Sequence, residues 1–295
     1  MIRHPVVACG SEEAASRSRE VLRAALDGAC HVTASIVRGP VAMLGARQRA
    51  ASVLVDTPWV RRATTGAEAW IAETGIVWSL ALPHVAALFR DARGETLLNR
   101  NVRGFLRGLT RCGALSHYLG RDVISLQRRA VAVLGYDVLD DGRVLVDVIA
   151  GWEHAPTLPD ARQGERRREA PRAEGVALRG CVGGRGPEEV ADAVIQAVAS
   201  TSGVALVEGD TLGRAASPDP STAEASVRSA RRVPIGWVEA GELEGAAWLG
   251  GDLLASTAWL RRAERALATG EPLPDGAVMH GATPEDLEVV WRAIP

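Results

Sequence analysis

The stretch that decides the fold is residues 61–70, "RRATTGAEAW", which lies between an apolar run that ends at Val60 and the apolar run "IAETGIVWSLALP". A polar segment with a glycine between two apolar runs predicts a strand, a turn and a second strand. Backbone N–H groups in a glycine-containing turn can hold an anion, because no Cβ blocks its approach. This turn has one glycine, Gly66, and an acid, Glu68, follows it. The stretch therefore predicts either a phosphate-binding turn or a turn that has lost that capacity.

The composition is that of an ordinary folded protein, and it excludes some partners. The chain has 295 residues, 47% of them hydrophobic and 24% charged, which predicts two domains or one large domain with a substantial core. A formal net charge of −2 gives no electrostatic reason to expect nucleic acid or an anionic membrane as a partner. The most apolar stretch, residues 70–89, contains Glu73, Pro83 and His84 and is too interrupted to span a membrane.

The cysteine and histidine pattern predicts no metal site. The four cysteines lie far apart, without a C-x-x-C pair, and no two histidines have the spacing of metal ligands. The sequence shows no signal-peptide pattern, so we expect a cytoplasmic protein with reduced thiols.

The chain contains no lysine, because Lys and Arg together number 34 and all 34 are arginine. A coding bias towards arginine explains this count without reference to function. The chemical consequence does not depend on why lysine is absent. No reaction step of this chain can use a lysine ammonium group or a lysine Schiff base.

Local patterns predict an α+β fold with mixed sheets flanked by helices. Strand-like runs cluster between the helices, and Asp140-Asp141-Gly142 predicts a hairpin between two of them. This order does not support repeated βαβ units. A short apolar run at residues 50–56 also predicts a strand. Helices are predicted at residues 11–28, which Gly28 ends, 96–112, 186–201, 253–270 and 283–294, which Thr283 caps. Residues 31–38 alternate well enough to predict a strand.

Composition shifts predict two domains. The segment at residues 155–175 is rich in Pro, Arg and Glu and predicts a mobile loop. The predicted division is a large domain at residues 1–208, a linker at 209–232 and a small α+β C-terminal domain at 233–295.

The order of these segments resembles the lipoate–protein ligase family, within the biotin/lipoate ligase fold. The tail "VEAGELEGAAWLGGDLLAS" is similar to the strand, strand, GDFF and helix start of the family's small accessory domain. The stretches that carry the resemblance in the large domain are "SIVRGPVAMLGARQ" (35–48), "VRRATTGAEAWIAETGIVWSLALP" (60–83), "GRDVISLQRRAVAVLGY" (120–136) and "DGRVLVDVI" (141–149).

The resemblance implies a specific chemistry. The family joins lipoate or a related acyl group to a lysine of a carrier domain through an acyl-adenylate, which it makes from ATP with magnesium. Its glycine run brings backbone N–H groups to the adenylate phosphate, and its arginine pair borders the acyl pocket. A lysine in a GRK pattern touches the phosphate and the acyl carbonyl.

Carried over to this sequence, the resemblance assigns most binding positions but not the lysine. Only Gly66 remains of the three glycines, because Thr65 and Ala67 hold the other two positions. Ala130 holds the lysine position, and Arg128 and Arg129 are the candidate catalytic cations. The substrate-binding candidates are Arg61, Arg62, Thr64, Thr65, Gly66 and Asp122.

These departures weigh against catalysis. Loss of one oxyanion-type donor costs about 3–4 kcal/mol of transition-state stabilisation. Arginine does not simply replace lysine, because its planar fork needs a different approach. Glu68 adds a like charge near the phosphate position if its side chain points inward.

Each candidate also has a purely structural interpretation. Arg61 and Arg62 fit a polar strand edge, and residues 64–66 fit an ordinary turn. Asp122 fits a cap or a partner of the adjacent arginine. Arg128 and Arg129 fit a solvated hairpin pair.

Three functions follow from the sequence. The leading hypothesis is a catalytically degenerate ligase homologue, a pseudoenzyme that binds an acyl group, an acyl-adenylate-like ligand or a lipoyl carrier domain. The second is an active ligase or acyltransferase that uses ATP and Mg²⁺, with Arg128 or Arg129 in the lysine role. The third is a non-catalytic partner of an active ligase subunit. None involves a metal site of the chain, nucleic acid or a membrane.

Overall fold

The computed structural model describes residues 1–169, 174–212 and 224–294. The α-helices in these ranges are α1 (Ser11–Ala24), α2 (Ala50–Val53), α3 (Leu97–Arg111), α4 (Glu165–Glu169), α5 (Pro187–Ser202), α6 (Thr257–Thr269) and α7 (Pro284–Arg292). The strands are β1 (Ile2–Arg3), β2 (Val7–Cys9), β3 (His31–Arg38), β4 (Val41–Leu44), β5 (Trp59–Arg61), β6 (Ala69–Ile71), β7 (Thr74–Leu82), β8 (His117–Tyr118), β9 (Val123–Leu126), β10 (Arg129–Val138), β11 (Val144–Gly151), β12 (Val207–Glu208), β13 (Ser226–Val233), β14 (Gly236–Leu243), β15 (Ala246–Gly251), β16 (Leu254–Ala255) and β17 (Met279–His280).

A large mixed sheet forms the centre of the molecule. Its strand order is β12-β1-β3-β7-β11-β10-β9-β8, with β2 beside β3. The short strands β1, β2 and β12 run parallel to their neighbours, whereas β3, β7, β11, β10 and β9 pair antiparallel. Strands β3, β7 and β11 are buried almost throughout, and Trp78 of β7 donates from Nε1 to the carbonyl oxygen of Ala191 in α5. The α+β class predicted from the sequence is confirmed.

A small second sheet carries the opening stretch. Its order is β5-β4-β6, with β4 parallel to β5 and antiparallel to β6. Residues 62–68 connect the two outer strands and therefore pass the end of β4. The predicted strand, turn and strand are present.

The C-terminal unit, residues 224–294, contains a three-stranded sheet β13-β14-β15 and the antiparallel pair β16-β17. Helices α6 and α7 belong to this unit. Thr283 caps α7 by accepting from the Asp286 N–H at 3.3 Å, as predicted from the sequence. Residues 226–232 of the predicted linker lie in β13, and residues 213–223 lie outside the described residues. The domain boundaries themselves stay a prediction.

Two local predictions are wrong. Residues 50–53 form the short helix α2 instead of a strand, because local backbone bonds close a helical turn: the Ser52 N–H donates to Arg49 O at 3.3 Å and the Leu54 N–H donates to Ala50 O at 2.8 Å. Residues 160–169 are not a mobile loop, because the side chain of Arg167 in α4 is buried. Across the ranges that the structure describes, no helix combines the length and apolar character needed to cross a membrane.

Candidate functional site

The turn between β5 and β6 is built around the guanidinium group of Arg62. This side chain is 1% exposed. Its Nη2 donates to the carbonyl oxygen of Ala67 at 2.8 Å and to that of Thr65 at 3.2 Å, and its Nε donates to that of Thr64 at 3.4 Å. Arg62 therefore holds the turn from inside, through the carbonyl groups of three of its residues.

The turn's own hydrogen-bond donors face other parts of the chain. The Thr65 N–H donates to Tyr136 O at 3.0 Å, and the Gly66 N–H donates to Leu253 O at 2.7 Å. The Thr65 hydroxyl lies 2.7 Å from Ala255 O and 3.0 Å from the Ala255 nitrogen, whose N–H donates to it. Of the three positions that the resemblance assigns to the glycine run, two, Thr65 and Gly66, thus have their backbone N–H groups bonded to protein carbonyls.

Gly66 is required by this close packing. Its φ is +105°, which side-chain-bearing residues rarely adopt. A Cβ at this position would lie 2.9 Å from both Leu134 O and Leu254 Cδ1. Gly66, the glycine that the resemblance assigns to the phosphate-binding turn, is therefore needed for the close contact with β10 and the C-terminal unit.

Glu68 lies in a buried network of two carboxylates and two donors. One of its oxygens accepts from Gln48 Nε2 at 3.0 Å and from Arg167 Nη2 at 2.6 Å. Asp252 of the C-terminal unit accepts from the same two groups, at 2.8 and 2.7 Å. Glu68, Arg167, Asp252 and Gln48 are each at most 2% exposed. The network joins the turn, α4 and the C-terminal unit.

The charges of this network explain the protonation state of Arg167. Burial alone would lower the pKa of Arg167, but the adjacent carboxylates of Asp252 and Glu68 outweigh burial and raise that pKa. The guanidinium therefore stays charged in the interior. It is the cation nearest to the turn's acid, and it comes from a segment in which the sequence predicted only a mobile loop.

The position that the resemblance assigns to lysine is covered by another part of the chain. Ala130 is 1% exposed, its N–H donates to Glu174 O at 2.7 Å, and its carbonyl accepts from the Val176 N–H at 2.8 Å. The segment 174–176 thus runs alongside β10 at this point.

The two candidate catalytic arginines lie on the outside of the β9–β10 hairpin. Arg128 is exposed, with φ of +66° in the connecting turn. The side chain of Arg129 is 51% exposed and donates to Gly175 O at 2.7 Å. The structure therefore places Arg129 near Ala130 but directs its hydrogen bond to the covering segment.

The remaining predicted residues are placed as follows. Thr64 points towards the large sheet, where its hydroxyl donates to Asp147 at 2.7 Å. Asp122 is 2% exposed, and its backbone carbonyl accepts from the Leu134 N–H. The side chain of Arg61 points away from the turn, and its Nη2 lies 3.2 Å from Glu224 Oε1. The turn therefore gathers Arg62, Thr64, Thr65 and Gly66, whereas Arg61 points away from it.

Two cavities border this turn. One, of about 390 Å³, is lined by Glu68, Arg129, Arg167, Glu174, Gly175 and six residues of the segment 155–163. The other, of about 570 Å³, lies between α1, Arg61 and the C-terminal unit. No described residue lines both cavities. Within the described ranges, no three His, Cys, Asp or Glu side chains are grouped to hold a metal ion.

Sequence reasoning missed the partners of Glu68. Gln48 and Asp252 lie in the stretches "SIVRGPVAMLGARQ" and "VEAGELEGAAWLGGDLLAS", but nothing in either pattern assigns them a contact with Glu68. Arg167 stood in "ERRRE", where its neighbours Arg166 and Arg168 have the same side chain and are not buried. Nothing local marks the middle arginine.

Solved structures of lipoate–protein ligases share this fold. P. falciparum LipL1 in complex with lipoate matches with a TM-score of 0.61 and 10% identity, over 98% of this chain and 94% of that chain. A lipoate–protein ligase A bound with ATP matches with 0.56 and 12%, over 72% and 90%. The bipartite lipoate protein ligase of Thermoplasma acidophilum, solved as part of a lipoylation system with its E2 lipoyl domain, matches with 0.55 and 12%, over 72% and 89%.

These matches establish the fold of the chain. No protein-family model matches the sequence, and no curated protein matches it significantly. The likeness is therefore carried by the arrangement of helices and strands. The chain has the biotin/lipoate ligase fold, as the resemblance predicted, and the match to P. falciparum LipL1 covers the C-terminal unit as well.

Proposed function

We propose that this chain is a lipoate–protein ligase-like protein that acts by binding and does not make or transfer an acyl-adenylate. The observation that carries the proposal is the closure of the turn by the chain itself. The Gly66 N–H is bonded to Leu253 O, and the carboxylate of Glu68, two residues further along, is buried with Arg167 and Gln48 as partners. A phosphate that bound the Gly66 N–H would have to displace the Leu253 carbonyl.

The positively charged side chains near the turn support the same conclusion. No lysine is present, and the lysine position, Ala130, is buried beneath residues 174–176. Besides Arg62, which is bonded to carbonyl groups of the turn, Arg167 contacts the turn, and it lies between two carboxylates, Glu68 and Asp252. Its charge is thereby neutralised before any substrate arrives, so it offers little stabilisation to a reacting anhydride.

The proposed ligands follow from the fold. The structural relatives include proteins named for lipoate, ATP and an E2 lipoyl domain. We propose that this chain binds an acyl group such as lipoate, an acyl-adenylate-like ligand, a lipoyl carrier domain or an active ligase subunit, in the cytoplasm. The cavity beside Glu68 and Arg129, with about 390 Å³, has the size of a small-ligand site.

The test separates catalysis from binding. The purified chain is incubated with lipoate, ATP, Mg²⁺ and a lipoyl carrier domain, and the mass of the carrier and the release of pyrophosphate are followed. We expect no lipoylated carrier and no pyrophosphate above a protein-free control. Calorimetric titration with lipoate, lipoyl-AMP and the carrier domain measures binding in parallel. A lipoylated carrier overturns the non-catalytic assignment, and the absence of heat with all three overturns the binding role.

One observation favours the active-ligase alternative. Arg129 lines the same cavity as Glu68, so its guanidinium is the candidate substitute for the lysine. If the incubation yields pyrophosphate, Arg129→Ala should abolish it. Arg128→Ala is the matched control, because Arg128 adjoins Arg129 but is not among the residues lining that cavity. If neither variant lowers the rate below that of the wild-type chain, an arginine of this hairpin is excluded as the catalytic cation.

A further inference from the structure

Two buried histidines meet where β1 lies beside β3. His4 follows β1 and is 6% exposed, and His31 begins β3 and is 2% exposed. The planes of their rings are inclined by only 10°, and Nε2 of His4 lies 3.0 Å from Nδ1 of His31. Contact of two ring nitrogens at this distance requires a proton on one of them. The two residues therefore form a hydrogen-bonded histidine pair.

Each ring of the histidine pair also has an acceptor at its other nitrogen. Nδ1 of His4 lies 2.8 Å from the carbonyl oxygen of Asp210, and Nε2 of His31 lies 3.0 and 3.1 Å from the two carboxylate oxygens of Asp27. A backbone carbonyl accepts and cannot donate. The hydrogen bond from His31 lowers the pKa of Asp27, so this carboxylate is ionised and also only accepts.

The three hydrogen bonds together determine the charge of the histidine pair. The contacts with Asp210 and Asp27 each need an N–H, and the contact between the rings needs a third. Two neutral imidazole rings supply only two N–H groups, because each carries one proton on its two nitrogens. All three bonds therefore form only when the pair holds one additional proton and one positive charge.

The additional proton belongs on His31. Burial is the main cause that lowers the pKa of His4, and the positive charge of Arg17 in α1 acts in the same direction. The carboxylate of Asp27, in contrast, faces His31 directly. His31 is then an imidazolium that donates to Asp27 and to His4, and neutral His4 donates to Asp210 O.

The other charged groups near the pair are few or engaged elsewhere. The carboxylate of Asp210 favours a charged His4, but less than burial opposes it. Arg3 of β1 forms ion pairs with Glu208 of β12 and Asp192 of α5. Burial raises the pKa of the neighbouring Cys30 thiol, which is therefore neutral. Strand β7, which flanks β3, contains no titratable side chain.

The bond to Asp210 secures a segment that has little other support. Residues 209–212 follow β12 and precede the C-terminal unit, whose described part begins at residue 224. The Gly209 N–H donates to Arg3 O at 2.8 Å, and the side chain of Leu212 is partly buried. Residues 210–212 have no backbone–backbone hydrogen bond to any other described residue. The bond from His4 therefore ties this segment to the large sheet.

Loss of the additional proton breaks one of the three hydrogen bonds. The bond to Asp27 keeps its proton, because a carboxylate is the strongest of the three acceptors. The other proton can serve only one contact of His4, so a lone pair then faces either Asp210 O at 2.8 Å or His31 Nδ1 at 3.0 Å. His31 is fixed within the buried strand β3, whereas Asp210 is exposed. Asp210 is therefore the partner that moves away.

We propose that the histidine pair is a proton-dependent switch, which holds residues 209–212 against the large sheet while it carries the additional proton and releases them when that proton leaves. The switch acts on the part of the chain that leads from the large sheet towards the C-terminal unit. The proposal goes beyond the binding function and involves no ligand.

The experiment is a pH titration of the full chain by nuclear magnetic resonance, with ¹⁵N in the backbone and in the histidine rings, from about pH 5.5 to about pH 9. At the acidic end we expect three protonated ring nitrogens in the pair, with only Nε2 of His4 unprotonated, and at the alkaline end two. The amide signal of Thr211 should titrate with the same midpoint, because its peptide group includes the Asp210 carbonyl. The Gly209 amide should exchange about tenfold faster above the midpoint, after correction for the intrinsic effect of pH.

A pair of variants separates the switch from a general effect of pH. His4→Gln has a side-chain amide that can donate to Asp210 O but does not titrate, so the Thr211 signal should no longer change over this range. His117→Gln, at an exposed histidine of β8, is the matched control and should leave the Thr211 titration unchanged. A Thr211 titration that persists in His4→Gln would overturn the proposal.

The wild-type chain alone also decides the question, even if His4→Gln does not fold. Two or four protonated ring nitrogens in the pair at the acidic end would contradict the proton count. A Thr211 signal that does not follow the midpoint of the rings would contradict the release of Asp210. None of these outcomes involves lipoate, ATP or a carrier domain, so they do not decide the proposed function.

Discussion

The carboxylate of Glu68 lies 2.6 Å from Nη2 of Arg167, and both side chains are almost completely buried. The two residues are separated by 99 positions in the chain. Asp252 of the C-terminal unit shares the same guanidinium nitrogen at 2.7 Å. One arginine therefore compensates two interior carboxylates, and the position of the acid in the opening turn is explained by this compensation.

Removal of that arginine should be costly. Arg167→Gln removes the guanidinium that the buried carboxylates of Glu68 and Asp252 share, which lowers the free energy of unfolding by about 3–5 kcal/mol. Arg168→Gln, on the same helix but exposed, removes one hydrogen bond to Gln163 O and should cost about 1 kcal/mol or less. Urea unfolding followed by circular dichroism measures both. Equal losses in the two variants would contradict the role assigned to the network.

Gly66 should tolerate no side chain. Gly66→Ala introduces a Cβ 2.9 Å from Leu134 O at a φ of +105°, and we expect a loss of about 3 kcal/mol or more. Gly28→Ala is the matched control, because Gly28 has φ of +83° but no atom within 4 Å of the added Cβ. Gly28→Ala therefore measures only the cost of a left-handed backbone conformation in a residue with a side chain, which is about 1–2 kcal/mol. Thermal unfolding ranks the two variants, and a smaller loss at Gly66 would refute the packing argument.

Restoring the lysine should not restore a ligase. Ala130 is buried beneath residues 174–176, so Ala130→Lys places an ammonium group in the interior and should destabilise the fold by about 3 kcal/mol or more. Arg129→Lys, at a half-exposed side chain, should cost less than about 1 kcal/mol. Neither variant should lipoylate a carrier domain. ATP-dependent modification by Ala130→Lys would show that the covering segment moves aside.

The titration of Asp137 should make the free energy of unfolding depend on pH. Burial raises the pKa of Asp137 to about 6, although the Thr257 N–H and hydroxyl both donate to its carboxylate. Because the folded pKa lies above the unfolded value of 3.8, the neutral acid is favoured in the fold. The contribution of Asp137 to stability is therefore full below about pH 4, declines as pH rises through 6, and is constant above it.

The size of this effect is about 3 kcal/mol. Asp137→Asn keeps the shape of the side chain but does not titrate, so its stability relative to the wild-type chain should increase by about that amount between pH 4 and pH 7. Urea unfolding at half-unit intervals measures the difference. Parallel curves for the two proteins would show that Asp137 titrates normally.

The sequence predicted elements whose signals are local. The strand β3 and the cap of α7 at Thr283 each depend on a few consecutive residues, and the structure shows both. Gly28 ends the first helical segment in the left-handed conformation, as predicted, although the last turn before it is a 3₁₀ helix. The hairpin at residues 140–142 also depends only on its own turn chemistry.

The site could be predicted only in part, because its decisive contacts are long-range. The resemblance identified the turn, yet the Gly66 N–H is bonded to Leu253, and no pattern within the turn specifies that partner. Arg167 and Asp252 contact each other across 85 positions. Burial of one arginine among three consecutive arginines is set by tertiary packing and not by the composition of its segment.

The bond from Gly66 to Leu253 makes the C-terminal unit a tethered competitor for whatever approaches the turn. An intramolecular group acts at an effective concentration in the millimolar range for a short flexible connection, and higher when packing fixes its position. Any ligand that binds the Gly66 N–H must first displace the Leu253 carbonyl, so a ligand of low affinity does not bind there. Only a molecule that also gains from the departure of residues 253–255, such as a protein that takes over their place on Thr65 and Gly66, can reach the amides at ordinary cellular concentrations.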